Sequence, residues 1–93
     1  MGVGETTLPE VSRFFGIIVG MFFNDHEPPH FHVRYAGLRA LIAIEDLRVI
    51  GGHLPPRALG LAVEWAAGHR AELMENWRRA RGNEPLVKIE PLE

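Results

Sequence analysis

From Phe14 to Phe23 the chain is almost wholly apolar, rich in β-branched and aromatic residues and interrupted only by Gly16 and Gly20. That pattern predicts a strand buried on both faces, with a close backbone approach on the side to which both glycines point. Asn24 to Pro29 carries turn chemistry. His30 to Tyr35 then alternates, placing Phe31, Val33 and Tyr35 on one face and His30, His32 and Arg34 on the other. The first two strands are expected to form an antiparallel hairpin across the turn. After Ala36-Gly37, a third strand is expected from Arg39 to Glu45 and a short fourth over Arg48-Val49-Ile50, ending at Gly51-Gly52.

Pro55-Pro56 opens a helical pattern that runs to about Arg81, with Gly82 beyond it. Leu59, Ala62, Val63, Ala66, Leu73, Trp77 and Ala80 form the expected buried stripe. Pro85 ends any continuation, and Leu86 to Glu90 is expected to add a short edge strand or a tail. The predicted fold is α+β: a three- to four-stranded antiparallel meander packed on one long C-terminal helix. Residues 1–10 read as a flexible N-terminal extension and residues 11–92 as a single α+β domain.

Composition narrows the classes. Ninety-three residues make one domain with one modest core. A net charge of -2 argues against a dedicated nucleic-acid binder, though not against a local basic patch. The absence of cysteine excludes disulfides and thiolate zinc fingers. Met1 to Glu10 lacks the basic and apolar regions of a signal peptide, and the longest apolar run is too short to cross a bilayer as a helix. No membrane association is expected.

Chemistry concentrates between Asn24 and Val33. Three of the five histidines, His26, His30 and His32, fall there beside Asp25 and Glu27. Imidazole titrates near neutrality and is the commonest metal ligand. His30 and His32 project from one strand face about 7 Å apart at the backbone, a spacing at which two imidazoles can converge on one ion. His26 folding back would supply a third ligand, and Asp25 or Glu27 a carboxylate. His26, His30, His32 and Asp25 are therefore the candidate metal ligands, and zinc or manganese is the expected divalent cofactor. The plain alternative places His30 and His32 at a solvent-facing or interface position and His26 in the turn.

A second strip, Trp65, His69, Glu72 and Asn76, lies along one flank of the helix and would complete a composite site if it met the histidine face. Otherwise Trp65 packs at the core margin and His69 bonds Glu72. His30, His32 and Glu72 are the candidate catalytic groups. Arg34, Arg57, Trp65, His69 and Asn76 are the candidate binding residues. The arginines at 78, 79 and 81 complement the helix dipole, or join Arg34, Arg57 and Arg70 in a phosphate-contacting patch. No nucleophile elbow, P-loop or dinucleotide fingerprint is present.

Taken together, Val11 to Ile17, Phe23 to Val33, Leu54 to Leu59, Glu64-Trp65-Ala66 and His69 to Trp77 resemble a small prokaryotic family, domain of unknown function 4160. The resemblance runs from about Val11 to Leu92, and the longer, glycine-rich segment from Met1 to Pro9 departs from it. It implies a cytoplasmic protein, with His26, His30, His32, Trp65, His69 and Asn76 in the family's pattern. Members look like genes paired with another small gene, in an arrangement similar to toxin–antitoxin modules. The leading expectation is thus a protein-interaction module whose partner is encoded next door. Homodimerisation through an exposed sheet edge is also open. The alternative is a small metal- or histidine-dependent hydrolase or nuclease using the histidine cluster, and a weaker one is a nucleic-acid-binding regulator.

Overall fold

The computed structural model describes residues 7–93. Five strands form one antiparallel sheet in sequence order: β1 (Glu10–Phe14), β2 (Ile17–Gly20), β3 (His30–Tyr35), β4 (Leu38–Ala43) and β5 (Val49–Gly52). Two helices follow, α1 (Pro56–Ala67) and α2 (Arg70–Arg81). The fold class is α+β, as the hydrophobic pattern indicates. The strand count and the single long helix need correction.

The apolar run from Phe14 to Phe23 holds a hairpin. Phe15 and Gly16 both adopt positive φ, 49° and 79°, which is the requirement of a two-residue turn matched to strand twist. Phe15 is a bulky residue in the left-handed region, where glycine or asparagine is the usual signal. Its ring lies exposed at the turn. The next hairpin, Ala36-Gly37, repeats the geometry with φ of 49° and 82° and sits where a turn was expected. β2 and β3 pair antiparallel across the Asn24–Pro29 loop.

Of the two glycines in the first apolar run, Gly20 makes the close backbone approach. A Cβ there would stand 2.3 Å from the Pro9 carbonyl oxygen and 2.6 Å from Leu8 Cγ. Met21 N–H donates to that same Pro9 oxygen at 3.1 Å. Leu8 is buried and β1 begins at Glu10, inside the segment expected to be flexible; residues 1–6 of that segment lie outside the described residues. Gly20→Ala is expected to destabilise the fold by about 1–3 kcal/mol, because backbone must move to admit the methyl group. A urea midpoint lowered at unchanged slope is the check.

The expected long helix breaks at Gly68-His69. Gly68 costs helix stability, and His69 leaves helical geometry with φ -133° and ψ 25°. The Trp65 carbonyl accepts the Gly68 N–H, and the His69 carbonyl starts α2 by accepting Leu73 N–H. Each helix then buries its own stripe: Ala58, Ala62, Trp65 and Ala66 on α1; Leu73, Asn76, Trp77 and Ala80 on α2. The buried face of α1 is rotated from the expected one, leaving Leu59 and Val63 half-buried. The core sits between these helices and the sheet face that carries Val11, Ile17, Val19, Phe31, Val33, Ala40 and Ile42.

Beyond α2 the chain forms a tail, not a strand. Asn76 holds it with both ends of its amide: Nδ2–H donates to the Val87 carbonyl and Oδ1 accepts the Val87 N–H, each at 2.8 Å. The Trp65 indole N–H donates to the Glu90 carbonyl at 2.7 Å. Ile89 is buried, and its N–H donates to the Val11 carbonyl on β1 at 2.8 Å. Among the described residues, no helix is long and apolar enough to cross a membrane.

Candidate metal centre

β3 and the loop before it bring three donors together. His30 and His32 stand on the same side of β3, two residues apart. Asp25 reaches back from the loop, and its Oδ2 lies 3.0 Å from Nε2 of both rings. The three ligand atoms all fall within 4.8 Å of one another. The other carboxylate oxygen, Oδ1, accepts the His26 backbone N–H at 2.9 Å, which orients the group.

α2 fixes the loop. Asn24 N–H donates to the Ala80 carbonyl, one of the helix-terminal acceptors left without an intrahelical partner. Arg81 bonds Glu27 at 2.7 Å, an exposed pair worth little by itself. The Trp77 ring packs 5.2 Å from that of His30, and His30 is only 3% exposed. Phe22 meets His32 edge-on at 4.8 Å. One flank of the centre is thus walled by aromatic groups, while Asp25 and His32 keep partial access to solvent.

Hydrogen bonding assigns the His30 tautomer. Nδ1 lies 2.7 Å from the Pro28 carbonyl oxygen. A carbonyl only accepts, so Nδ1 carries a hydrogen. In neutral imidazole the lone pair is then on Nε2, aimed at Asp25 Oδ2. Two acceptors cannot face each other at 3.0 Å without a proton or a cation between them. His32 meets the same oxygen through Nε2, and as neutral imidazole it satisfies that contact by donating.

Electrostatics favour the carboxylate. Burial pushes Asp25 up, but the His32 hydrogen bond, the His26 N–H and the neighbouring imidazoles outweigh it and hold the group below the ordinary aspartate range. Burial depresses His32, and the His30 and Arg34 charges add to this against the opposing pull of Asp25. For Asp25 and His32 the net result is an ionised carboxylate beside an imidazole held neutral, the protonation states that metal ligation requires of these two groups.

The other sequence candidates are scattered. The His26 ring is 93% exposed and touches only the outer oxygen of Asp25, at 3.3 Å. His69 bonds Glu72 at 2.5 Å and lies against Trp65, with ring centroids 5.3 Å apart. The His69–Glu72 bond is the one the packing alternative expects, but Trp65 lies in the core and not at its margin. Trp65 and Asn76 are buried and engaged with the tail. Arg57 lines a separate cavity beside Phe15, Ala58 and Leu61. Arg78 and Arg79 are paired with Glu75 and Glu84 as well as standing in the last helical turn, which supports the dipole role.

Arg34 remains beside the centre. It faces Arg39 directly across the β3–β4 pair, and both line a cavity of about 500 Å³ together with Phe22 and Tyr35. Arg39 was not among the sequence candidates. Its signal was the register set by the Ala36-Gly37 turn, which places 34 opposite 39.

No curated protein and no solved structure matches the chain. A family described as a domain of unknown function (DUF4160) matches residues 16–78, which include all three donors of the centre as well as Arg34 and Arg39. The chain belongs to that family.

Proposed function

We propose that this protein holds a divalent transition metal through Asp25, His30 and His32 and acts as a small metal-dependent hydrolase. The observation that carries the reading is the bond from His30 Nδ1–H to the Pro28 carbonyl. Metal-ligating histidines characteristically donate their second ring N–H to a carbonyl or carboxylate, which fixes the tautomer and aims the lone pair. Two imidazoles and one carboxylate suit zinc, manganese or iron and leave coordination positions open. An ion in such a site lowers the pKa of a bound water toward neutrality, which makes a nucleophile.

The test is elemental mass spectrometry on protein purified without a polyhistidine tag. About one zinc or manganese per chain is expected, lost in the His30→Ala/His32→Ala double variant. Protein that retains no metal after loading with zinc, manganese and iron and then desalting would sink the reading.

β5 favours a second reading, the interaction module of a two-gene, toxin–antitoxin-like system. It has a single strand neighbour, β4, and exposes Ile50. Edge strands are ready templates for a partner strand, here from the neighbouring gene product or a second copy of the chain. Co-expression with that product followed by size-exclusion chromatography tests it; separate elution would count against it.

A further inference from the structure

The Arg34–Arg39 pair stands out because it opposes stability. Like charges directly opposite on an antiparallel pair are destabilising. Neither guanidinium forms a salt bridge among the described residues, a state shared with Arg57 and Arg70, whereas Arg13, Arg48, Arg78, Arg79 and Arg81 are paired. Both line the cavity of about 500 Å³, a volume within the range of small-molecule sites. Two facing guanidiniums form a fork suited to the oxygens of a phosphate group. An anion between them converts their repulsion into binding energy.

The cavity adjoins the three donors through one shared side chain. Phe22 lines it and packs against His32 at 4.8 Å. His32 and Arg34 project from the same side of β3, two residues apart. The remaining walls include Ile18 and the Ala36-Gly37 turn. Phe22 gives a flat group something to stack against, as bases do on aromatic side chains. A net charge of -2 argues against an extended polyanion and for a single small one.

We propose that this cavity binds a nucleotide-class phosphate ester, its phosphate held between Arg34 and Arg39 and its aromatic group against Phe22. The proposal rests on the hydrolase reading for its role, since it supplies that centre with a substrate class. Its own content is a binding site, which can be measured separately from the metal.

Calorimetric titration of the untagged protein with adenosine monophosphate, inorganic phosphate and adenosine is the experiment, with zinc content measured on the same samples. The nucleotide is expected to bind tighter than either fragment. Arg34→Gln/Arg39→Gln is expected to weaken it at least about tenfold, the loss of roughly one charge-assisted contact, with zinc content unchanged. Relief of the like-charge pair should leave the urea midpoint of this variant equal to or above that of the parent. A site that served only structure would instead lose stability and leave nucleotide binding unmoved.

Zinc-loaded protein that fails to bind the nucleotide, or binds it equally well without the two arginines, overturns the inference and leaves the metal reading standing. Inorganic phosphate binding as tightly as the nucleotide overturns the ester assignment in favour of a free-anion site. Arginine-dependent nucleotide binding in protein that takes up no metal supports the site and sinks the hydrolase reading alone.

Discussion

Asp25→Asn is expected to abolish stoichiometric metal binding. The carboxylate oxygen it alters is the one shared by His30 and His32 at 3.0 Å. An amide is a poor substitute for a charged ligand, so the loss in affinity should exceed the roughly 10–100-fold that removal of an outer-shell partner costs. Competition against a chromophoric chelator reads it directly. An affinity within a few-fold of the parent would remove Asp25 from the centre.

The same substitution has a signature in the metal-free protein. His32 is depressed on folding, so the unfolded chain takes up its proton first, and stability falls as pH drops through the unfolded value near 6.5. Asp25 is also held low, so its contribution is complete above the unfolded value near 3.9 and is lost as pH falls through the lower folded value. Both slopes have the same sign: acid destabilises. Asp25→Asn removes the group whose hydrogen bond holds the His32 value up. The variant should therefore fall more steeply below about pH 6.5 and lose the deeper acid limb. Urea midpoints measured from pH 7 to pH 3 separate the two.

Asn76→Ala should cost the fold about 2–4 kcal/mol. Two hydrogen bonds to Val87 disappear, at about 1 kcal/mol each, and a buried side chain leaves a void. That is a large share of the roughly 5–15 kcal/mol that holds a small domain together. Asn76→Asp should lose at least as much, because it keeps the acceptor for the Val87 N–H but turns a carboxylate oxygen toward the Val87 carbonyl. Faster tryptic cleavage after Lys88 should accompany the lowered urea midpoint in both. Unchanged cleavage would mean that the tail is held without the amide.

Where local pattern and structure agree, the elements were governed by short-range rules. The alternation of β3, the Ala36-Gly37 turn and the proline-led start of α1 are all properties of neighbouring residues. So is the centre itself, whose three donors lie within eight positions from Asp25 to His32. The Phe15-Gly16 hairpin was hidden because a phenylalanine occupies a left-handed position, and the apolar run on either side of it reads as one strand. The helix break was hidden because one glycine inside a periodic stripe is commonly tolerated. Trp65 and Asn76 read as part of a flank beside the buried stripe for lack of any local sign that a later segment would return to meet them. His30 looked exposed by alternation, yet Trp77 covers it from a helix more than forty positions away.

That returning segment also changes one edge of the sheet. A sheet whose strands run in chain order has two ends, β1 and β5, and two free ends allow copies to add without limit. Here the tail lies along one of them, with Ile89 bonded to the Val11 carbonyl. Among the described residues, β5 carries no such segment on its outer side. Copies that join through a single edge pair about a two-fold axis and stop, giving a closed dimer rather than a filament. The clasp made by Asn76 and Trp65 thus keeps backbone against the outer side of β1, where it occupies the Val11 carbonyl that a partner strand would otherwise seek.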